Sequence, residues 1–377
     1  ETHLVNSGET LRSIALQYGS TVIQLYRNNP QLHALPDITA GEELVISFDQ
    51  QKEGTLSVNG YAYPFVNRTL FRETMPYLTY MAPFTYGFTE EGDLIDLNDI
   101  SMISLSLDYG VAPLMHLSTL TEDGGFSNEL AHVALTDSTV QQTLIKNIRA
   151  MLRKKNYTAL DVDFEFVFPE DQEAYAAFIK NLSTLLNPLG YEVIVALAPK
   201  TSADQKGLLY EGHNFKLLGE AANAVLLMTY EWGYTYGPPM AVAPINKVRE
   251  VLDYAVTEIA PKKIFLGMPN YGYDWTLPFV QGTSKADSIS NVEAVDLARK
   301  YGESILYNEK AQSPYFQYWD EFQKKHEVWF EDARSIQAKL ALIPEYGFQG
   351  VGYWNLMRPF PQNWSVLNAL YRIRHIL

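Results

Sequence analysis

The segment with the most chemical content is Leu160-Asp161-Val162-Asp163-Phe164-Glu165-Phe166, in which acidic and apolar side chains alternate. Successive side chains of an extended strand point to opposite faces. Asp161, Asp163 and Glu165 therefore share one face, and Val162, Phe164 and Phe166 the other. Alternate residues of a strand stand roughly 7 Å apart, and carboxylates at that spacing push at least one pKa upward. A carboxyl raised toward neutrality is what a general acid requires. In an antiparallel sheet with one solvated side, the same pattern is only an acidic, watery face. A closed parallel barrel has no watery face. There the apolar set packs outward on helices and the acids line the interior, toward the C-terminal mouth where such barrels build active sites.

The rest of the chain decides between the two. Apolar runs predict eight strands, at Gly60–Pro64, Tyr77–Phe84, Ala112–Leu117, Ala159–Val167, Val193–Ala198, Ala224–Tyr230, Ile264–Asn270 and Gly350–Asn355. Amphipathic helices fall between them. One carries the stripe Val140, Leu144, Ile145, Ile148 and Leu152 and ends in Arg153-Lys154-Lys155, where the helix dipole favours cations. The next opens at Glu170-Asp171, buries Tyr175, Phe178, Ile179, Leu182, Leu185 and Leu186, and stops at Asn187-Pro188. Strand–helix alternation of this length predicts an α/β fold, a (β/α)8 TIM barrel. From about Ser304 to Asp332 the rhythm breaks, and a small antiparallel hairpin is expected as an insertion.

Residues 1–48 read as a separate small α+β unit, 49–54 (DQQKEG) as a polar linker, and 55–377 as the barrel domain. In the first unit His3-Leu4-Val5 is a strand, followed by a helix on Leu11, Ile14, Ala15 and Tyr18 with Gly19 as its stop. A second helix starts at Thr21, with Gln24 placed to reach back in a capping box. Glu43-Leu44-Val45-Ile46 returns as a strand.

Composition narrows the partners. The net charge of −15 opposes phosphate backbones and anionic lipid, so no nucleic acid and no membrane surface is expected as a partner. No apolar run reaches the ~18 residues that span a bilayer. The absence of cysteine excludes disulfides, thiolate metal sites and cysteine nucleophiles. The seven histidines have no i, i+4 pair and "KTSADQKG" does not fit a phosphate loop, so neither metal nor cofactor is expected. Glu1 opens without a basic, apolar leader, and any export signal is expected to lie outside these residues or to have been removed.

Two resemblances then give the pattern a chemistry. "VNSGETLRSIALQYGS", "VIQLYRNNP" and "ITAGEELVIS" resemble the LysM module, which implies binding of GlcNAc-containing glycans such as peptidoglycan and chitin. The carboxylate strand resembles the D-x-x-D-x-D-x-E signature of glycoside hydrolase family 18 in its last three acids, with Thr158 and Ala159 replacing the leading Asp-Gly. "MTYEW", "GMPNYGYDW" and "GVGYWNL" resemble that family's sixth, seventh and eighth strands. The family's Ser-x-Gly-Gly is not evident near "LMHLSTL", and its Arg after Tyr-Gly is Tyr273. The family is substrate-assisted: the sugar's own acetamido oxygen attacks the anomeric carbon, with net retention. The resemblance implies Glu165 as general acid and then base, and Asp163 as the group orienting the acetamido N–H. Asp161 would share a proton with Asp163, and Tyr230 would donate to the acetamido oxygen. It implies Trp354 as the sugar floor, with Glu231, Asn270 and Tyr271 as further sugar contacts. The whole combination looks like the LysM-barrel enzymes of spore-forming bacteria, N-acetylglucosaminidases of cortex peptidoglycan. The expected location is extracellular, at the cell wall or the spore coat and cortex. A chitinase and a catalytically silent GlcNAc-binding lectin are the alternatives.

Overall fold

A computed structural model describes residues 1–33, 35–48, 51–121 and 124–377. Its centre is a parallel sheet closed on itself. We number its strands β1 (Gly54–Ala62), β2 (Tyr80–Pro83), β3 (Ala112–Ser118), β4 (Ala159–Asp163), β5 (Glu192–Leu197), β6 (Ala224–Leu227), β7 (Ile264–Pro269) and β8 (Gly350–Trp354). Neighbours pair in chain order, and β8 returns to β1 with Trp354 opposite Tyr61, which closes the barrel. A last short strand, Tyr371–Ile373, runs beside the start of β1.

Alternation along each strand sorts the core in two. Val58, Met81, Met115, Leu160, Val162, Val195 and their neighbours face the surrounding helices in one large cluster. A smaller interior cluster holds Tyr61, Tyr80, Leu114, Ile194, Leu226 and Phe265 among alanines. The helices bury the expected stripes: Leu144, Ile148 and Leu152 in Ser138–Lys154, and Tyr175, Phe178, Ile179, Leu182 and Leu186 in Gln172–Leu186. Leu185 departs from expectation and is 52% exposed, because it falls off the buried side of the 3.6-residue turn.

Three other expectations need correction. β4 stops at Asp163, so the alternation does not carry to Val167, and Phe166 is only half-buried beside Phe126. β6 likewise ends at Leu227. The insertion is larger than a hairpin. Strands Gly272–Thr276, Asp287–Ile289, Leu306–Asn308, Ser313–Trp319 and Lys325–Trp329 form one five-stranded antiparallel sheet, accompanied by helix Asn291–Tyr301.

The N-terminal unit pairs Thr2–Leu4 antiparallel with Glu43–Val45 across helices Leu11–Gln17 and Val22–Asn28. Its reciprocal capping box lies at Thr10 and Ser13. Thr21 caps the second helix by accepting from the Gln24 N–H, but the Gln24 side chain turns forward to Asn28 at 2.9 Å rather than back. Asn29, fully buried, stitches that helix to the second strand: its Nδ2 donates to the Leu25 and Val45 carbonyls, and its Oδ1 accepts from the Val45 N–H.

Of the expected linker, 49 and 50 lie outside the described residues. The following Lys52 donates to the Asn368 carbonyl at 2.6 Å, and the Glu53 N–H to that of Leu370. The unit is also docked directly. The Thr39 hydroxyl donates to the Glu303 carbonyl at 2.8 Å, the Ile305 N–H to that of Ala40, and the Gln362 side chain to that of Glu43. At the centre of this contact Arg299 pairs with Glu42, both largely buried. Burial raises the Glu42 pKa, and the guanidinium opposes that rise. Removing one partner of a buried pair costs about 3–5 kcal/mol. Arg299→Met should therefore loosen the dock. Calorimetry is expected to resolve a separate, lower-temperature transition for the N-terminal unit, and a single unchanged transition would show that the pair does not hold it.

Candidate active site

The inward face of β4 carries the acids. Asp161 is fully buried, and its Oδ2 accepts from the Tyr61 hydroxyl of β1 at 2.6 Å. Asp163, one step nearer the mouth, is 7% exposed and has its Oδ2 3.3 Å from Nε2 of His116 on β3. The parallel register explains this neighbourhood, since His116 stands opposite Asp161 and Ser118 opposite Asp163. The remaining oxygen of each aspartate has no hydrogen-bond partner among the described residues. No hydrogen bond joins the two carboxyls. Tyr61 and His116 take the places at which a shared proton was expected.

Glu165 lies two residues beyond the end of β4, so the strand alone does not aim it. Its backbone is held through Phe164. That ring stacks between Tyr175 (5.5 Å) and Phe178 (5.7 Å), and its carbonyl accepts from His213 Nε2 at 2.9 Å. The other nitrogen of His213 accepts from the Ala198 N–H, which fixes the tautomer. Complete burial lowers the His213 pKa and keeps the ring neutral.

Burial, then the negative charges of Asp163 and Glu231, push Glu165 up to about 8. Burial pushes Asp161 up to about 6, against the pull of His116 and the Tyr61 hydrogen bond. Burial holds Glu165 protonated at neutral pH in a position still partly open to solvent. Asp161 and Asp163 are sunk in the barrel, where a bond to an anomeric carbon is out of reach. Glu165 is the raised acid at the mouth, and the other carboxylate lining the same hollow, Glu231, is held by the hydroxyls of Tyr271 and Tyr273.

Tyr230 and Glu231 follow β6. Tyr230 lies in the field of Asp163, Glu165, Asp161 and Glu231, which with burial raises its pKa well above the usual phenol value and keeps it a donor. Glu231 is an exposed residue with φ +67°, and its carboxylate accepts from the hydroxyls of Tyr271 and of Tyr273, the latter at 3.0 Å. Trp354, at the end of β8, packs edge-on against Phe84 at 4.8 Å and beside Tyr61 and Tyr63. It lines an open cleft with Tyr63, Phe65, Glu231, Tyr271 and Tyr273. A second hollow, lined by Glu165, Leu209, Tyr210, Tyr230 and Trp232, shares Glu231 with the first, so the two form one groove across the mouth.

Asn270 is not among the residues that line either hollow. It is 1% exposed, and its Nδ2 donates to the carbonyls of Asn355 (2.7 Å) and Arg358 (3.0 Å). It fastens the chain that follows Trp354 and has no amide hydrogen directed at a sugar. Tyr61, His116, His213 and Tyr273 were not anticipated. Tyr61 and His116 lie in runs read as apolar strands, and each polar atom gains meaning only from a strand distant in sequence. No cluster of three or more metal-ligating side chains occurs among the described residues.

Comparison with known proteins accords with this geometry. Residues 115–358 match the model of glycosyl hydrolases family 18, and residues 3–47 that of the LysM domain. The chain is 45% identical to the cortical fragment-lytic enzyme of Bacillus cereus over 302 residues, which is 80% of this chain and 70% of that one. It is 43% identical to the enzyme of the same name from Bacillus subtilis over 304 residues, again 80% and 70% of the two chains. The crystal structure of the Bacillus cereus spore cortex-lytic enzyme SleL superposes with a TM-score of 0.84 at 38% identity, covering 99% of this chain and 87% of that one. The chain is a glycoside hydrolase of family 18 whose barrel follows an N-terminal LysM domain.

Proposed function

We propose that this enzyme cleaves spore-cortex peptidoglycan at the β-1,4 bond after N-acetylglucosamine, by a retaining, substrate-assisted mechanism. The observation that carries the reading is the raised carboxyl of Glu165 at the mouth of a barrel whose other two strand acids are buried beside Tyr61 and His116. With Asp161 and Asp163 buried and the Glu231 carboxylate held by Tyr271 and Tyr273, the nucleophile in this reading comes from the substrate. In this reading the acetamido oxygen of the bound GlcNAc attacks the anomeric carbon, and Glu165 gives its proton to the leaving glycosidic oxygen. Asp163 accepts from the acetamido N–H and stabilises the positive charge that develops there. Tyr230 donates to the acetamido oxygen and fixes its approach. Trp354 supplies the apolar floor, with Glu231 and Tyr271 at its rim. Once the leaving sugar departs, Glu165 takes a proton from water, which opens the cyclic intermediate from the same face.

The similarity to cortical fragment-lytic enzymes favours cortex glycan as the polymer, and the LysM domain supports a GlcNAc-containing partner. The site of action is then the cell wall or the coat and cortex of the spore. No helix among the described residues is long and apolar enough to cross a membrane.

Glu165→Gln should lower kcat by about 10²–10⁴-fold while binding of a GlcNAc oligomer, measured by calorimetry, stays within a few-fold of wild type. Undiminished turnover would remove Glu165 from its role. Because the acid must be protonated to act, kcat/KM should fall as pH rises through about 8. Glu231→Gln removes a neighbouring negative charge and should move that alkaline limb to lower pH; an unmoved limb would assign it to another group. In the free enzyme the raised Glu165 pKa means that the folded state binds more protons. Stability should accordingly decline from about pH 5 to 8, and Glu165→Gln should flatten that slope. Digestion of cortex peptidoglycan and chitin side by side, with new reducing ends read by mass spectrometry, should give GlcNAc ends from the cortex. Such ends from chitin alone would overturn the substrate.

A further inference from the structure

His116 is buried in the barrel interior at 2% exposure and is joined at both nitrogens. Nδ1 lies 2.6 Å from the Thr85 hydroxyl, and Nε2 lies 3.3 Å from Asp163 Oδ2. The ring is clamped between the face of Phe84 (4.7 Å) and the edge of Tyr61 (5.7 Å). Thr85 is tied in turn to Ser118 Oγ at 3.0 Å. The titratable groups around the ring are Asp161 and Asp163 on β4 and Tyr61 on β1.

These contacts select one tautomer. With a proton on Nε2, the ring donates toward the carboxylate, and Nδ1 is left to Thr85. With the proton on Nδ1, a nitrogen lone pair would face the carboxylate oxygen, which is repulsive. Asp163 Oδ1, also buried, has no partner among the described residues. The two oxygens of Asp163 thus have different surroundings: one is addressed by a histidine and the other is left for an incoming donor.

We propose that His116 is a positioning residue for the reaction proposed above. It holds Oδ2 of Asp163 so that Oδ1 faces the acetamido N–H of the substrate, and Thr85 fixes the ring that does so. The inference rests on the reading of Asp163 given above. At 3.3 Å the Nε2–Oδ2 contact is slightly longer than an ordinary N–H···O bond. It closes when substrate engages the other oxygen, as catalytic hydrogen bonds commonly do on forming the complex. An apolar side chain would fill the same space and leave the carboxylate free to rotate.

The test compares His116→Leu, His116→Gln, Thr85→Val, Asp163→Asn and Glu165→Gln on a cortex fragment and on an aryl β-glycoside of a GlcNAc oligomer. Thermal unfolding checks that each variant is folded. His116→Leu should lose kcat on the order of 10- to 100-fold with KM little changed, the loss expected for one hydrogen bond to a charged group. Glutamine places an amide N–H near the Nε2 position, so His116→Gln should recover most of the rate, which a packing defect would not. An aryl leaving group needs little protonation. Glu165→Gln should therefore regain kcat/KM on the aryl substrate, whereas His116→Leu should stay slow, because acetamido attack is what it impairs. Thr85→Val should show a smaller loss of the same kind, and it carries the test should His116→Leu fail to fold. A kcat within twofold of wild type for His116→Leu or Thr85→Val, with Asp163→Asn inactive, overturns the proposal while leaving Asp163 in place. So does a folded His116→Gln as slow as the leucine variant. An active Asp163→Asn would instead sink the reading on which the proposal stands.

Discussion

The hydrogen bond from Tyr61 to Asp161 is the contact on which the rest of the site depends. A carboxyl at the centre of a closed barrel has lost its water, and isolated it would be driven to the neutral form. Tyr61 and the nearby His116 restrain that shift, leaving Asp161 raised to about 6 rather than further. Glu165 owes its own rise to burial and then to the charges of Asp163 and Glu231. Asp163 and then Glu165 are stacked toward the mouth in order of increasing access to solvent. Glu165, last in the series, is the one whose proton persists at neutral pH. The gradient is a product of strand geometry, because β4 delivers two acids to one face and the turn beyond it delivers the third.

Rigidity around that series is built from neutral groups. His213 holds the backbone between Asp163 and Glu165 by a donor and an acceptor at once, with no charge to solvate. Asn270 holds the chain after Trp354 by donating twice through its Nδ2. Phenols enclose Glu231 from one side. The acids thus keep fields that act on one another. A lysine or arginine in the place of His213 would have lowered the pKa of Glu165 and removed its proton at working pH.

Much of this was legible in the sequence, for physical reasons that also mark where legibility ends. Period-two alternation placed Asp161 and Asp163 inward because the barrel strands obey it, and helical periodicity placed Leu144, Ile148 and Leu152. The same alternation failed at Phe166, where the strand had already ended, since no local residue announces that β4 stops at Asp163. The insertion was underestimated because Gly272–Thr276 pairs with Lys325–Trp329 across three strands and a helix. His116 and Tyr61 were invisible for a related reason. Each is a lone polar residue in an apolar run, and only the closed register brings it to a carboxylate contributed by another strand.

The docked LysM domain has a consequence of its own. A module on a loose tether would let the cleft sweep a volume set by the tether's length, engaging any bond that came within it. Here Arg299, Thr39 and Gln362 pin the module to the insertion and the final helix. The spacing and angle between the two glycan-handling surfaces are then constants of the molecule. Such an enzyme works as a gauge: it samples only those bonds that lie at one fixed offset from the place where it has taken hold, so the packing of neighbouring glycan strands becomes part of what it recognises.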